Sequence, residues 1–136
     1  MTLTYLLDTD IVSYYLRRTS TDLEQRLNDA LASQNVAISV VTRAELRYGQ
    51  AGMSLEDKRR GLIDRFLLRL PNLHWTNMAA DCHGEIKSEH RRIGKMIGEI
   101  DTQIAAHALT EGLILITHNT RHFERVPHLK LEDWTI

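Results

Sequence analysis

The chain has 136 residues, 43% hydrophobic and 26% charged, with seventeen Lys and Arg against eighteen Asp and Glu for a formal charge of −1. That length suits one compact domain over residues 1–136. The near-neutral balance argues against a protein that coats nucleic acid through a broad positive field, and no apolar run approaches the roughly 20 residues of a spanning helix. One cysteine, Cys82, excludes an internal disulfide framework and fits a reducing cytoplasm, and the N-terminus reaches Asp8 and Asp10 without a basic stretch, which argues against a secretory signal.

The first apolar run, LTYLL (3–7), reads as a buried strand, and Asp8-Thr9-Asp10 turns it into a helix over about Ile11–Leu16. A second helix is expected from Thr21 to Ala32, with Leu23, Leu27, Ala30 and Leu31 on one face. VAISVV (36–41) is the next strand. Thr42 then opens a helix over Arg43–Tyr48 that Gly49 and Gly52 end. Ser54–Asp57 resembles a further helix start, with Ile63, Phe66, Leu67 and Leu70 as its apolar face and Pro71 as its stop. Leu73–Trp75 is a short strand, Ala79–Ile93 a long helix closed by Gly94, and Asp101–Glu111 an alanine-rich helix closed by Gly112. LILI (113–116) is another buried strand, 118–123 a loop or turn, and Leu129–Leu131 an edge strand. Short apolar strands alternating with amphipathic helices predict an α/β fold with a parallel sheet covered by helices.

Four oxygen-bearing side chains fall where a strand stops or a helix starts: Asp8, Glu45, Asp101 and Asn119. Each has a local explanation. Asp8 or Asp10 can cap the next helix, Thr42 to Glu45 matches a capping box, Asp101 stands where an Asp cap belongs, and Asn119 suits a turn. Taken together they predict more, because strand ends and helix starts of an open α/β sheet gather along the edge where such folds bind ligands. Crowded carboxylates favour a divalent cation, and Mg²⁺ prefers a few such oxygens plus waters. A water acidified there can attack a phosphodiester in line. Competing motifs are weaker. His118 and His122 have zinc-like spacing but lack two further ligands, and neither a Gly-rich phosphate loop nor a GxSxG elbow is present. The basic segments Lys58–Arg69 and Lys87–Lys95 read equally as solvated helix faces or as phosphate-contacting surface.

YLLDTDIVSYYL, SVVTRAELRYG, IGEIDTQIAAHAL and ILITHNTRHFERVPHLKLEDW, in this order and spacing, resemble a PIN-domain ribonuclease, specifically the VapC-type toxins of bacterial toxin–antitoxin pairs. The resemblance covers Tyr5 to Trp134. It implies a three-layer α/β/α sandwich around a parallel sheet and Mg²⁺- or Mn²⁺-dependent cleavage of structured RNA, with tRNA a frequent target. It implies a homodimer and a VapB-type antitoxin whose tail blocks the acidic pocket. DNA is bound only indirectly, through that antitoxin. Carried over by motif, Asp8, Glu45 and Asp101 match the metal-site acids and Asn119 a fourth position. Asp10, Glu99 and Thr117 fall in supporting positions, and Arg43, Arg47 and Arg121 are candidates for flanking phosphates. The expected products are a 5′-phosphate and a 3′-hydroxyl. Two alternatives stand beside this. Asp8-Thr9-Asp10 resembles the start of haloacid-dehalogenase-type phosphatases, and a PIN-like fold with a dead site would serve only as a binding scaffold.

Overall fold

The computed structural model describes residues 2–136; Met1, the first residue of the expected domain, lies outside them. Five strands form one parallel sheet in the order β3-β2-β1-β4-β5, with β1 at Tyr5–Leu7, β2 at Val36–Ser39, β3 at Asn72–Leu73, β4 at Ile114–Ile116 and β5 at Leu131–Glu132. The helices are α1 (Thr9–Leu16), α2 (Thr21–Ser33), α3 (Val40–Ala51), α4 (Arg59–Leu68), α5 (Asn77–Ile93), α6 (Glu99–Glu111) and α7 (Thr120–Phe123).

The two-residue period of the strands divides the core. Leu7, Val36, Ile38 and Ile116 face one layer, where they meet Ile11, Val12, Leu23, Leu27 and Phe66 of α1, α2 and α4. Leu6, Ala37 and Leu115 face the other, against Ile86 of α5 and Ile104, Ala105 and Ala108 of α6. The alanines let α6 lie close on the sheet. Burying each of these large aliphatic side chains contributes about 1.5–3 kcal/mol, which holds the central strands in register. Trp134 is buried and meets Tyr5 edge-on with ring centroids 4.8 Å apart.

The short edge strands are shifted from the sequence reading, β3 to Asn72–Leu73 and β5 to Leu131–Glu132, and three further boundaries differ for a local reason. β2 stops at Ser39, because the Ser39 hydroxyl accepts the Val41 N–H at 3.0 Å and caps α3. Val40 and Val41 are therefore helical despite their strand-like chemistry. Thr42 becomes the third helical residue, and no capping box with Glu45 forms. α6 starts at Glu99, because Gly98 occupies the cap position at φ 100°, a backbone geometry that favours glycine. Asp101 is thus inside the first turn and not its cap. α4 starts only at Arg59, since Asp57 bonds the Arg59 N–H at 2.9 Å and residues 54–57 make a turn. Residues 120–123, expected as a loop, form the short helix α7.

The chain runs β1 to β2 to β3 in one direction along the sheet and then crosses to β4 and β5 on the other side. The reversal lies between β1 and β4, paired Leu7 to Ile116, so the crevice of this fold opens beyond their C-terminal ends.

Candidate active site

Asp8 leaves β1 at that crevice. Its N–H donates to Ile116 O at 3.0 Å, and its Oδ1 accepts the Ile11 N–H at 2.7 Å, capping α1. The residue is 3% exposed. Burial pushes its carboxyl up to about 7, and the nearby charges of Asp10 and Asp101 push the same way. The Thr117 hydroxyl and the Ile11 N–H pull against that shift without reversing it. Thr117 itself is buried just past the end of β4.

Glu45 arrives from α3. Thr9 donates its hydroxyl proton to Glu45 Oε1, and the Thr42 hydroxyl stands 3.1 Å from that of Thr9. Thr9 has one proton to give, so the carboxylate takes it and Thr42 donates to Thr9. Asp101 arrives from α6. His122 Nε2 lies 2.9 Å from Asp101 Oδ2, and burial raises the Asp101 carboxyl while His122 lowers it. Glu99, two residues earlier on α6, is held by Lys87 Nζ at 2.8 Å, which pulls its carboxyl below the ordinary range. His83 Nε2 is 2.9 Å from the same carboxylate but not aligned for a hydrogen bond.

These residues surround one cavity of about 340 Å³, lined by Asp8, Asp10, Glu45, Glu99 and Asp101. Asn119 is not brought to it. Its side chain is exposed and makes no hydrogen bond among the described residues, while its N–H donates to Thr117 Oγ1 at 3.0 Å and holds that hydroxyl in place. Nor do the arginines line it. Arg43 donates to Asn72 Oδ1 at 2.8 Å on the edge strand, and Arg47 donates to Gln50 Oε1 at 2.8 Å and Asp64 Oδ1 at 2.6 Å. Arg121 is exposed on α7 without a partner among the described residues. His122 is the site residue the sequence reading missed. It had been weighed only with His118, which instead lies 3.1 Å from Asp133 Oδ2 and 3.0 Å from Thr135 Oγ1. Its spacing from Asp101 carries no helical or strand period, so no local signal could have paired them.

The donor set fits a hard divalent cation. Every lining acid offers oxygen, and Asp8 is a buried carboxyl with carboxylates and no cation beside it. Among the described residues no three acidic or imidazole groups converge on a single point. An ion such as Mg²⁺ keeps much of its hydration and takes few protein ligands.

A parallel five-stranded α/β/α fold with acids at the β1/β4 crevice defines a PIN domain. The sequence pattern of the PIN domain matches residues 5–129, and the chain belongs to that family. Within it, the relatives are VapC nucleases. The chain is 41% identical to ribonuclease VapC2 of Haemophilus influenzae, over 97% of this chain and 98% of that protein. It is 36% identical to the tRNA(fMet)-specific endonuclease VapC of Shigella flexneri, over 98% and 99%. Among solved structures it superposes on the DNA-bound VapBC of Salmonella typhimurium with a TM-score of 0.89 at 32% identity, covering 97% of this chain and 98% of that one. On VapBC-1 of nontypeable Haemophilus influenzae the TM-score is 0.84 at 30% identity, with both chains fully covered. The protein is therefore a nuclease of the VapC kind, and the phosphatase alternative falls. PIN-domain nucleases as a class depend on divalent metal ions. No helix among the described residues is long and apolar enough to cross a membrane.

Proposed function

We propose that this chain, acting as one PIN domain, is the toxin of a toxin–antitoxin pair, an endoribonuclease that hydrolyses a phosphodiester of structured RNA with Mg²⁺, or Mn²⁺ in its place. The observation that carries this reading is Asp8, a buried, unneutralised carboxyl facing Asp101 and Glu45 across one cavity. Asp8, Glu45 and Asp101 would hold the ion. Bound there, it supplies a Lewis acid for the phosphoryl oxygen and acidifies water for in-line attack. The protein's own part is to orient. The Ile11 N–H and Thr117 fix Asp8, and Thr9 fixes Glu45. Asp10 also lines the cavity and adds negative potential, so a phosphate enters against a neutralising cation, while Glu99 is already paired with Lys87.

The Shigella relative's name makes tRNA the first substrate to try, and initiator tRNA first among those. The solved VapBC complexes support a VapB-type antitoxin as partner, with DNA reached only through it, and we add a homodimer and a cytoplasmic setting, where the RNA is. The test is cleavage of tRNA by purified protein with Mg²⁺. Asp8→Asn and Asp101→Asn should abolish it, EDTA should stop it, and the new ends should carry a 5′-phosphate and a 3′-hydroxyl. Undiminished cleavage by either variant refutes the assignment.

A further inference from the structure

We propose that His122, rather than Asn119, is the side chain through which the segment after β4 serves the site, as a positioning residue that fixes the Asp101 carboxylate. The inference rests on the metal-site reading above.

Three observations carry it. First, three other carboxylates of the cavity are anchored: Asp8 by the Ile11 N–H of the helix it caps, Glu45 by the Thr9 hydroxyl from α1 and Glu99 by Lys87 from α5. For Asp101 the only side-chain partner among the described residues is His122, at 2.9 Å and 21 residues away. An ionised carboxylate only accepts, so Nε2 carries the proton and donates it, whether the ring is neutral or charged. One Asp101 oxygen is thereby occupied and the other left for the cavity.

Second, α7 is built to hold that ring. Phe123 is buried beneath it at 1% exposure, and the two rings meet edge-on with centroids 5.4 Å apart. The His122 N–H donates to Asn119 O at 3.2 Å, which fixes its backbone. The imidazole is mostly buried, with 23% of its side chain exposed, so it is not a free surface histidine.

Third, Asn119 has none of these features. Its side chain is exposed and has no hydrogen bond among the described residues. A residue that orients a metal ligand through a hydrogen bond changes metal affinity by roughly 10–100-fold when removed.

The experiment titrates Mn²⁺ into the purified full chain by calorimetry and measures tRNA cleavage in parallel. His122→Phe keeps a ring against Phe123 but has no donor, whereas His122→Gln keeps an N–H within reach of the same oxygen. The expected result is Mn²⁺ affinity about tenfold weaker in the Phe variant and restored to within about threefold by Gln. The expected kinetic effect is a loss in kcat with KM for RNA little changed, and melting temperatures close to the parent. Asn119→Ala should weaken Mn²⁺ binding by less than about threefold. Parental affinity in His122→Phe would overturn the proposal, as would an Asn119→Ala defect equal to that of the Phe variant. Asp8→Asn separates the two levels: if it binds Mn²⁺ and cleaves like the parent, the metal-site reading itself fails. If Asp8→Asn is inactive and His122→Phe is not impaired, only the His122 inference fails.

Discussion

Asp8 and Asp64 are both aspartates beside other elements of the same fold, and they sit in opposite circumstances. Asp64, on α4, accepts from Gln50 and Arg47, and those bonds hold its carboxyl below the ordinary range. Arg60 completes the set by donating to Gln50 O at 2.7 Å and tying α4 to the end of α3. Asp8 is buried with other carboxylates for neighbours and has no cation, and its carboxyl is pushed up to about 7. One acid is neutralised by the protein and serves to join two helices. In the proposed reading, the other is left for a bound cation to neutralise.

If that contrast is right, the largest effect belongs to the unneutralised acids. Asp8→Asn and Asp101→Asn should each reduce kcat/KM for tRNA by about a thousandfold or more, measured at saturating Mg²⁺. The next effect is the loss of an anchor. Thr9→Val removes the donor to Glu45 while keeping its shape, and should lower kcat by about tenfold with little change in melting temperature.

A third prediction concerns pH and stability. The Asp8 carboxyl is raised in the fold, so protonation favours the folded state, and stability is lost as pH rises from the unfolded value of 3.8 through about 7. The full difference corresponds to about 4 kcal/mol, an upper figure. Asp8→Asn keeps the acceptor for the Ile11 N–H and removes the charge. Without divalent ions it should therefore melt several degrees above the parent at pH 8 and close to it at pH 4. Mg²⁺ should stabilise the parent at pH 8 and the variant much less. Equal melting temperatures across that range would remove the contrast between Asp8 and Asp64. The smallest effect is at the neutralised pair: Arg47→Ala should lower the melting temperature by only about 1–3 °C and leave kcat close to the parent value.

Much of this was legible in the sequence because the signals were local. LTYLL and LILI are apolar runs too short for helices, and Gly112 ends α6 as expected. Asp8 directly after β1 could only lie at the strand's C-terminal end. The misreadings arose where two local signals competed. Val40 and Val41 look like strand, but the Ser39 hydroxyl captures the Val41 N–H and starts the helix. Thr42 and Glu45 match a capping pair, but both lie inside α3. The arginines near the motifs looked available for phosphates, yet Arg43 and Arg47 are tied to Asn72 and Asp64. Those partners lie 29 and 17 residues away, beyond any window of periodicity.

The sequence alone determined the alternation of strands and helices, the acidic residues at their junctions and the family. These follow from hydrophobic period and from residue chemistry at adjacent positions, which are properties of short segments. Only the tertiary structure decided which charges cancel. It buried Asp8 beside Asp10 and Asp101, gave Arg47 to Asp64, set Asn119 outside the cavity and brought His122 to Asp101. The reason is that desolvation and pairing depend on distances across the fold, which the order of residues along the chain does not contain.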